Sequence, residues 1–143
     1  MSGLEKVGCE FGVPIVYPVH PRSGKQMKEF GLQPGGVRLI EPVDFLSFLQ
    51  LENNAILVLT DSGGVQEEAC VLGVPCVTLR DNTERPETVE VGSNVLAGTD
   101  YDRILECVKM MVLRENCWEN PFGDGNAGRK IVEELGRIDI FGT

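Results

Sequence analysis

Asp61-Ser62-Gly63-Gly64 stands directly before a run of helix-forming residues. A helix start offers free backbone N–H groups and the positive end of the helix dipole to an anion. Two glycines let a phosphate come close to the backbone, and the Ser62 hydroxyl adds a donor. The same tetrapeptide also reads as a tight turn in which Asp61 or Ser62 caps the helix. It is neither a G-x-G-x-x-G dinucleotide fingerprint nor a G-K-[ST] phosphate loop. Further along this helix, Glu68 shares a face with Val65, Ala69 and Leu72, the stripe expected to meet a sheet. A carboxylate near a buried face needs a partner. Either it serves the helix dipole as a cap, or it accepts both hydroxyls of a ribose whose phosphates rest on Ser62, Gly63 and Gly64. Glu67 is rotated away from that face and is expected in solvent.

Four more polar clusters accompany this one: His20-Pro21-Arg22, Glu41-Pro42, Arg80-Asp81-Asn82-Thr83-Glu84-Arg85 and Gly98-Thr99-Asp100. Arg85, stiffened by Pro86, has the planar fork that suits a phosphate, while Glu84 and Glu87 are alternative partners for it. His20 is the only histidine. Its type suits a general base, but no catalytic partner lies near it in the sequence, and a hydrogen-bonded structural role competes.

Each cluster follows a short run rich in Val, Ile and Leu, at 14–19, 37–40, 55–60, 75–79 and 94–97. None alternates strictly with polar residues, which is how a strand covered on both faces reads. Helical segments are expected between and after them, at 23–30, 44–51, 65–72 and 100–114, with a short turn at 86–91 and a terminal helix at 126–135. Ser23, Asp44 and Asp100 are good N-caps, and Gly31 and Gly73 stand where a left-handed terminating residue is wanted. Alternation of this kind implies right-handed β-α-β crossovers, so the expected fold class is α/β, a parallel sheet with helices on both faces. Ligands of such sheets bind beyond the carboxyl ends of the strands, where all five polar clusters fall.

The 143 residues suffice for a single domain, 1–143, and 42% hydrophobic residues argue against disorder. A net charge of -9 argues against a protein that tracks a nucleic-acid backbone, which needs a basic face. No apolar stretch approaches the roughly 20 residues of a membrane span, and the first thirteen residues lack a signal-peptide core, so no membrane partner and a cytoplasmic location are expected. The five cysteines form no C-x-x-C pair and are read as reduced, mostly buried small hydrophobes, with no metal implied.

Four stretches together carry a family resemblance: Val16-Tyr17-Pro18-Val19-His20, Leu59-Thr60-Asp61-Ser62-Gly63-Gly64-Val65-Gln66-Glu67-Glu68-Ala69, Arg80-Asp81-Asn82-Thr83-Glu84-Arg85-Pro86-Glu87 and Asn120-Pro121-Phe122-Gly123-Asp124-Gly125. In this order, over 14–135, the chain resembles the non-hydrolysing UDP-N-acetylglucosamine 2-epimerases. Those enzymes are similar to glycosyltransferases of the GT-B type, in which two Rossmann-like halves close over a UDP-sugar. The resemblance implies that this chain is most of the second half, a nucleotide-sugar-binding domain. It places the diphosphate on Ser62, Gly63 and Gly64, the ribose on Glu68, the uracil pocket at Phe48 and the phosphate side of the cleft at Arg85. His20 matches a histidine that, in bacterial relatives, lies near a second, activating UDP-sugar; the residues following it there differ from Pro21-Arg22.

The family reaction eliminates UDP to a 2-acetamidoglucal and adds it back with C2 inverted, using acid/base carboxylates that belong to the first half. The resemblance therefore implies no catalytic residue in this chain, no cofactor, and no activity in isolation. It implies UDP-N-acetylglucosamine or UDP as ligand, and a missing first domain or partner chain as the other wall of the cleft. Self-association is expected where that wall is absent. A non-catalytic UDP-sugar-binding module and half of a GT-B glycosyltransferase are the competing readings.

Overall fold

A computed structural model describes residues 3–137. Helix α1 (Gly3–Phe11) leads into β1 (Ile15–Pro18), α2 (Pro21–Glu29), β2 (Val37–Ile40), α3 (Phe45–Asn53), β3 (Val58–Thr60) and α4 (Gly63–Leu72). Then follow β4 (Cys76–Thr78), α5 (Pro86–Glu90), β5 (Asn94–Leu96), α6 (Tyr101–Val112) and α7 (Ala127–Arg137). The fold is α/β, and every strand pair is parallel.

The strands form two ladders rather than one continuous sheet, β1-β2 and β3-β4-β5. Val19 N–H donates to Ile40 C=O, so by the two-residue alternation of a strand Val16 turns its backbone groups away from β2. Val58 and Thr60 bond toward β4 in the same way, which turns Leu59 outward. No strand of one ladder pairs with a strand of the other. Apolar patterning identifies strands but is blind to such a break, because a strand edge carries no side-chain signature.

Alternation along β4 divides the molecule chemically. Val77 faces one side, where Val7 of α1, Ala97, and Cys107, Val108 and Met111 of α6 form the apolar core with Ile15, Leu59 and Val95 packed against it. Helix α1 thus covers residues of both ladders. Its own signal was Leu4, Val7 and Phe11 at helical spacing, which the reading of the first thirteen residues left unassigned. Cys76 and Thr78 flank Val77 on β4 and are also buried, and Thr78 bonds Asn94 within a largely polar layer described below.

Helix ends follow local chemistry. Asp44 accepts from Ser47 N–H and Ser47 Oγ, and Asp100 accepts from Arg103 N–H, as expected of N-caps. Ser23 is not a cap: α2 begins earlier, with Pro21 in its first turn and His20 Nδ1 accepting from Arg22 N–H at 3.3 Å. Proline suits that turn because its fixed φ is helical and its missing N–H would have had no partner. Gly73 closes α4 at φ 74°, a left-handed conformation that a side chain disfavours. Strands β3, β4 and β5 are each shorter than the apolar runs that announced them: Pro75 and Ala97 stay buried beyond the ladder pairing of β4 and β5, whereas Ile56 before β3 is exposed. Cys70, Cys76 and Cys107 are buried free thiols, whereas Cys9 and Cys117 are exposed. No helix among the described residues is long and apolar enough to cross a membrane.

Candidate functional site

At the start of α4, Ser62 occupies the N-cap position, yet its side chain makes no capping bond. Its own N–H is taken by Thr60 Oγ1 at 3.0 Å, and the first helical bond runs from Gln66 N–H to Ser62 C=O at 3.2 Å. The N–H groups of Gly63, Gly64 and Val65 precede any intrahelical acceptor. Four donors, three backbone and one hydroxyl, are therefore gathered at the positive end of a ten-residue helix. Neither Asp61 nor Ser62 caps them.

The 80–85 loop closes one side of this helix start. A Cβ on Gly63 would stand 3.4 Å from Glu84 Oε2 and 3.8 Å from Arg85 Cγ, so the loop lies in contact with the glycine backbone. Arg80 fastens it, donating to both Glu84 carboxylate oxygens at 3.0 and 3.2 Å, to Asn82 Oδ1 at 3.1 Å and to Asp61 C=O at 3.5 Å. A hydrogen bond from its own backbone, and then the Arg80 pair, hold the Glu84 carboxyl below the usual carboxylate range.

Arg85 is half-buried and forms an ion pair with Glu67, not with Glu84 or Glu87. Its Nη1 donates to Glu84 C=O at 3.0 Å. This corrects the reading of Glu67 as a solvated residue. Helical spacing does put Glu67 off the Ala69 stripe, but the loop folds over that flank and supplies a cation to it.

Below the helix start lies a layer of buried polar groups that spacing arguments did not single out. Gln66 is fully buried, and its Oε1 accepts from Thr83 Oγ1 and from Asn94 Nδ2. Asn94 also donates to Thr88 Oγ1 at 3.0 Å and accepts from Thr78 Oγ1 at 2.8 Å. Thr83 Oγ1 accepts from Arg85 N–H, and Thr88 Oγ1 donates to Arg85 C=O, both within 2.9 Å. Buried amides and hydroxyls are costly unless bonded, so the network locks the Arg85 backbone against α4. The buried stripe of α4 is Gln66, Ala69 and Cys70.

Glu68 lines a cavity of about 530 Å³ with Phe45, Leu49, Glu67, Val71, Leu72 and Phe122. Burial raises its carboxyl above the ordinary value. Phe48 is half-buried and stands outside this lining set, whereas Phe45 and Phe122 belong to it. Phe122 was quoted only within the 120–125 stretch of the resemblance, with no role in the site; Trp118 Nε1 donates to Cys70 C=O at 3.0 Å and ties that segment to α4. His20 is exposed at the end of β1, on the other ladder from Ser62. Of the remaining clusters, Glu41-Pro42 follows β2 in solvent, and Gly98, with φ 68°, leaves room for Asp81, whose Oδ1 would stand 2.6 Å from a Cβ there. Among the described residues no cluster of His, Cys, Asp and Glu is arranged to hold a metal ion.

Residues 1–136 match the family model described as UDP-N-acetylglucosamine 2-epimerase. The chain belongs to that family. It is 53% identical over 140 residues to the UDP-N-acetylglucosamine 2-epimerase of Methanocaldococcus jannaschii, covering 94% of this chain and 38% of the relative. With the Methanococcus maripaludis enzyme it shares 51% over 137 residues, 92% of this chain and 37% of that one. The crystal structure of the M. jannaschii epimerase in complex with UDP-GlcNAc and UDP superposes with a TM-score of 0.86 at 49% identity, covering 94% of this chain and 38% of that chain. A UDP-GlcNAc-bound epimerase from Neisseria meningitidis gives 0.77 at 34% identity, over 95% of this chain and 40% of that one. The chain therefore spans well under half the length of these epimerases, and the family's Rossmann-like, GT-B-type architecture is present in the part it spans.

Proposed function

We propose that this chain is the UDP-binding half of a UDP-N-acetylglucosamine 2-epimerase, a single nucleotide-sugar-binding domain that grips the leaving group while another domain or chain carries out proton transfer at C2. The observation that supports this most is the uncapped start of α4 beside the tethered Arg85, with Glu68 one turn further along at the cavity. A diphosphate over Ser62, Gly63 and Gly64 meets backbone donors and the helix dipole, and Glu68 accepts from the ribose hydroxyls. Arg85 turns toward the phosphates by exchanging Glu67 for a more highly charged partner. Phe48, with Phe45 and Phe122, supplies apolar surface for the uracil.

In the reaction, the C2 proton leaves as the C1–O bond to UDP breaks, giving a 2-acetamidoglucal. UDP then adds back to C1 while a proton enters C2 from the opposite face. Negative charge grows on the β-phosphate oxygen as C1–O breaks, so donors aimed there lower the barrier to departure. Retaining UDP between the two steps is equally necessary, because re-addition needs it in place. The ribose grip at Glu68 serves that second need. His20, at the end of the other ladder, is proposed to face an activating nucleotide sugar across the interdomain cleft.

Titration calorimetry with UDP tests the assignment. The chain should bind UDP weakly, having one wall of the cleft, and a folded Glu68→Ala variant should lose about 1.5–3 kcal/mol, roughly tenfold or more in affinity. An unchanged dissociation constant in that variant rejects the site.

A further inference from the structure

Helix α3 carries one residue out of character with its position. Glu52 is 4% exposed, and neither of its carboxylate oxygens has a hydrogen-bond donor among the described residues. An ionised carboxylate buried without a donor is among the costliest arrangements in a protein. Helix α3 packs against α4, and the group of α4 that acts on Glu52 is another acid, the Glu68 carboxyl. Two carboxylates cannot both stay ionised there, but one protonated and one ionised carboxyl make a strong charge-assisted bond. The same bond gives Glu52 the partner it otherwise lacks.

We propose that Glu52 is a positioning residue: buried between α3 and α4, its protonated carboxyl donates a hydrogen bond to the Glu68 carboxylate and fixes that acceptor toward the cavity for the vicinal hydroxyls of a ribose. Which acid holds the proton follows from burial. Glu52 is enclosed, whereas Glu68 reaches the cavity, so the charge resides on Glu68. From α4, Glu67 also bears on Glu68, and Arg85 occupies Glu67 from the 80–85 loop; from β4, Cys76 faces Glu52, with Cys70 of α4 beside it. No Lys or Arg among the described residues pairs with Glu52. Burial and the Glu68 charge push the Glu52 carboxyl up to about 7, so the arrangement loosens just above neutrality.

The positioning role rests on the ribose reading of Glu68, and the test separates the two. Carboxyl ¹³C NMR of the chain should show one glutamate titrating near neutral pH, absent in Glu52→Gln; no glutamate titrating above the ordinary range overturns the shared proton. Calorimetry then compares UDP with 2′-deoxyuridine diphosphate from pH 6 to pH 8.5. The wild-type preference for the ribose ligand, about tenfold for a charged bond, should shrink as pH rises through 7. Glu52→Gln, whose amide still donates, should keep the preference at every pH, and Glu52→Leu should lose it at every pH. A Glu52→Gln profile that falls in parallel with wild type, or a Glu52→Leu protein with undiminished preference, overturns the proposal. Should Glu52→Leu not fold, the wild-type and Glu52→Gln profiles decide alone. If wild type shows no preference at any pH, the ribose reading and the positioning role fall together, while the NMR titration still reports whether the two acids share a proton.

Discussion

Replacing Glu52 by Gln should stabilise the protein, and by an amount that depends on pH in one direction. The Glu52 carboxyl stands at about 7 in the folded chain against an ordinary 4.5. Below pH 4.5 both folded and unfolded states carry the proton, so the residue makes no difference between them. Between 4.5 and 7 the unfolded chain releases its proton while the folded chain retains it, and stability falls as pH rises. Above 7 the cost is complete. At about 1.4 kcal/mol for each tenfold step it amounts to about 3 kcal/mol. Gln titrates in neither state and removes this term. Urea unfolding followed by the fluorescence of Trp118, the only tryptophan, reads the difference at pH 5 and pH 8. With a slope of about 1–3 kcal/mol per molar urea, the variant's midpoint should exceed wild type by on the order of 1–3 M at pH 8 and by far less at pH 5. Asp44, Glu84 and Asp124, all held low by hydrogen bonds, contribute stability that is lost as pH falls through their lowered values, but they are common to both proteins and cancel. Equal midpoints at pH 8, or a gap of the same size at both pH values, would refute the burial argument.

Asn94→Ala should cost about 1–3 kcal/mol by stranding Thr78 and Thr88, and should also weaken UDP binding, since Arg85 loses its backing; urea midpoints and calorimetry on the same variant check both. Met111→Ala, in the core on the far side of β4, should cost about 2–5 kcal/mol while leaving UDP affinity unchanged in the protein that remains folded. Ile131, Val132 and Leu135 are exposed on α7, so light scattering should detect dimers or larger species at high concentration, reduced by truncation after Gly125. A strict monomer in both forms contradicts that expectation. The chain alone should not convert UDP-N-acetylglucosamine to its C2 epimer, and conversion free of contaminating enzyme counts against the division of labour between the two halves.

What the amino-acid order made legible was governed by short-range rules. Asp44 and Asp100 cap as their types require, Gly73 terminates α4 in the left-handed region, and Ser62-Gly63-Gly64 opens a helix as its glycines and position implied. Misreadings arose where a neighbour distant in sequence intervened. Glu67 lies on the flank that helical geometry assigns to water, until the 80–85 loop brings Arg85 over it. His20 rather than Ser23 caps α2 because Pro21 starts the helix two residues early. The division into two ladders depends on edge pairing, which leaves no mark on side-chain pattern. Glu52 was legible in principle: it follows Phe48 and Leu49 on one helical face, the same argument that singled out Glu68. Gln66 was not, because its buried amide oxygen is tolerable only with Thr83 and Asn94 in place, and that is a fact of tertiary structure.

The central claim, that UDP is held at the start of α4, is tested most directly by titrating UDP into ¹⁵N-labelled chain and following each backbone amide. The account predicts the largest shifts at Ser62, Gly63, Gly64 and Val65, with smaller ones at Glu68 and Arg85 and little change in α6. Saturable binding whose shifts cluster elsewhere, or no shift at Gly63 and Gly64 at millimolar UDP, would contradict it.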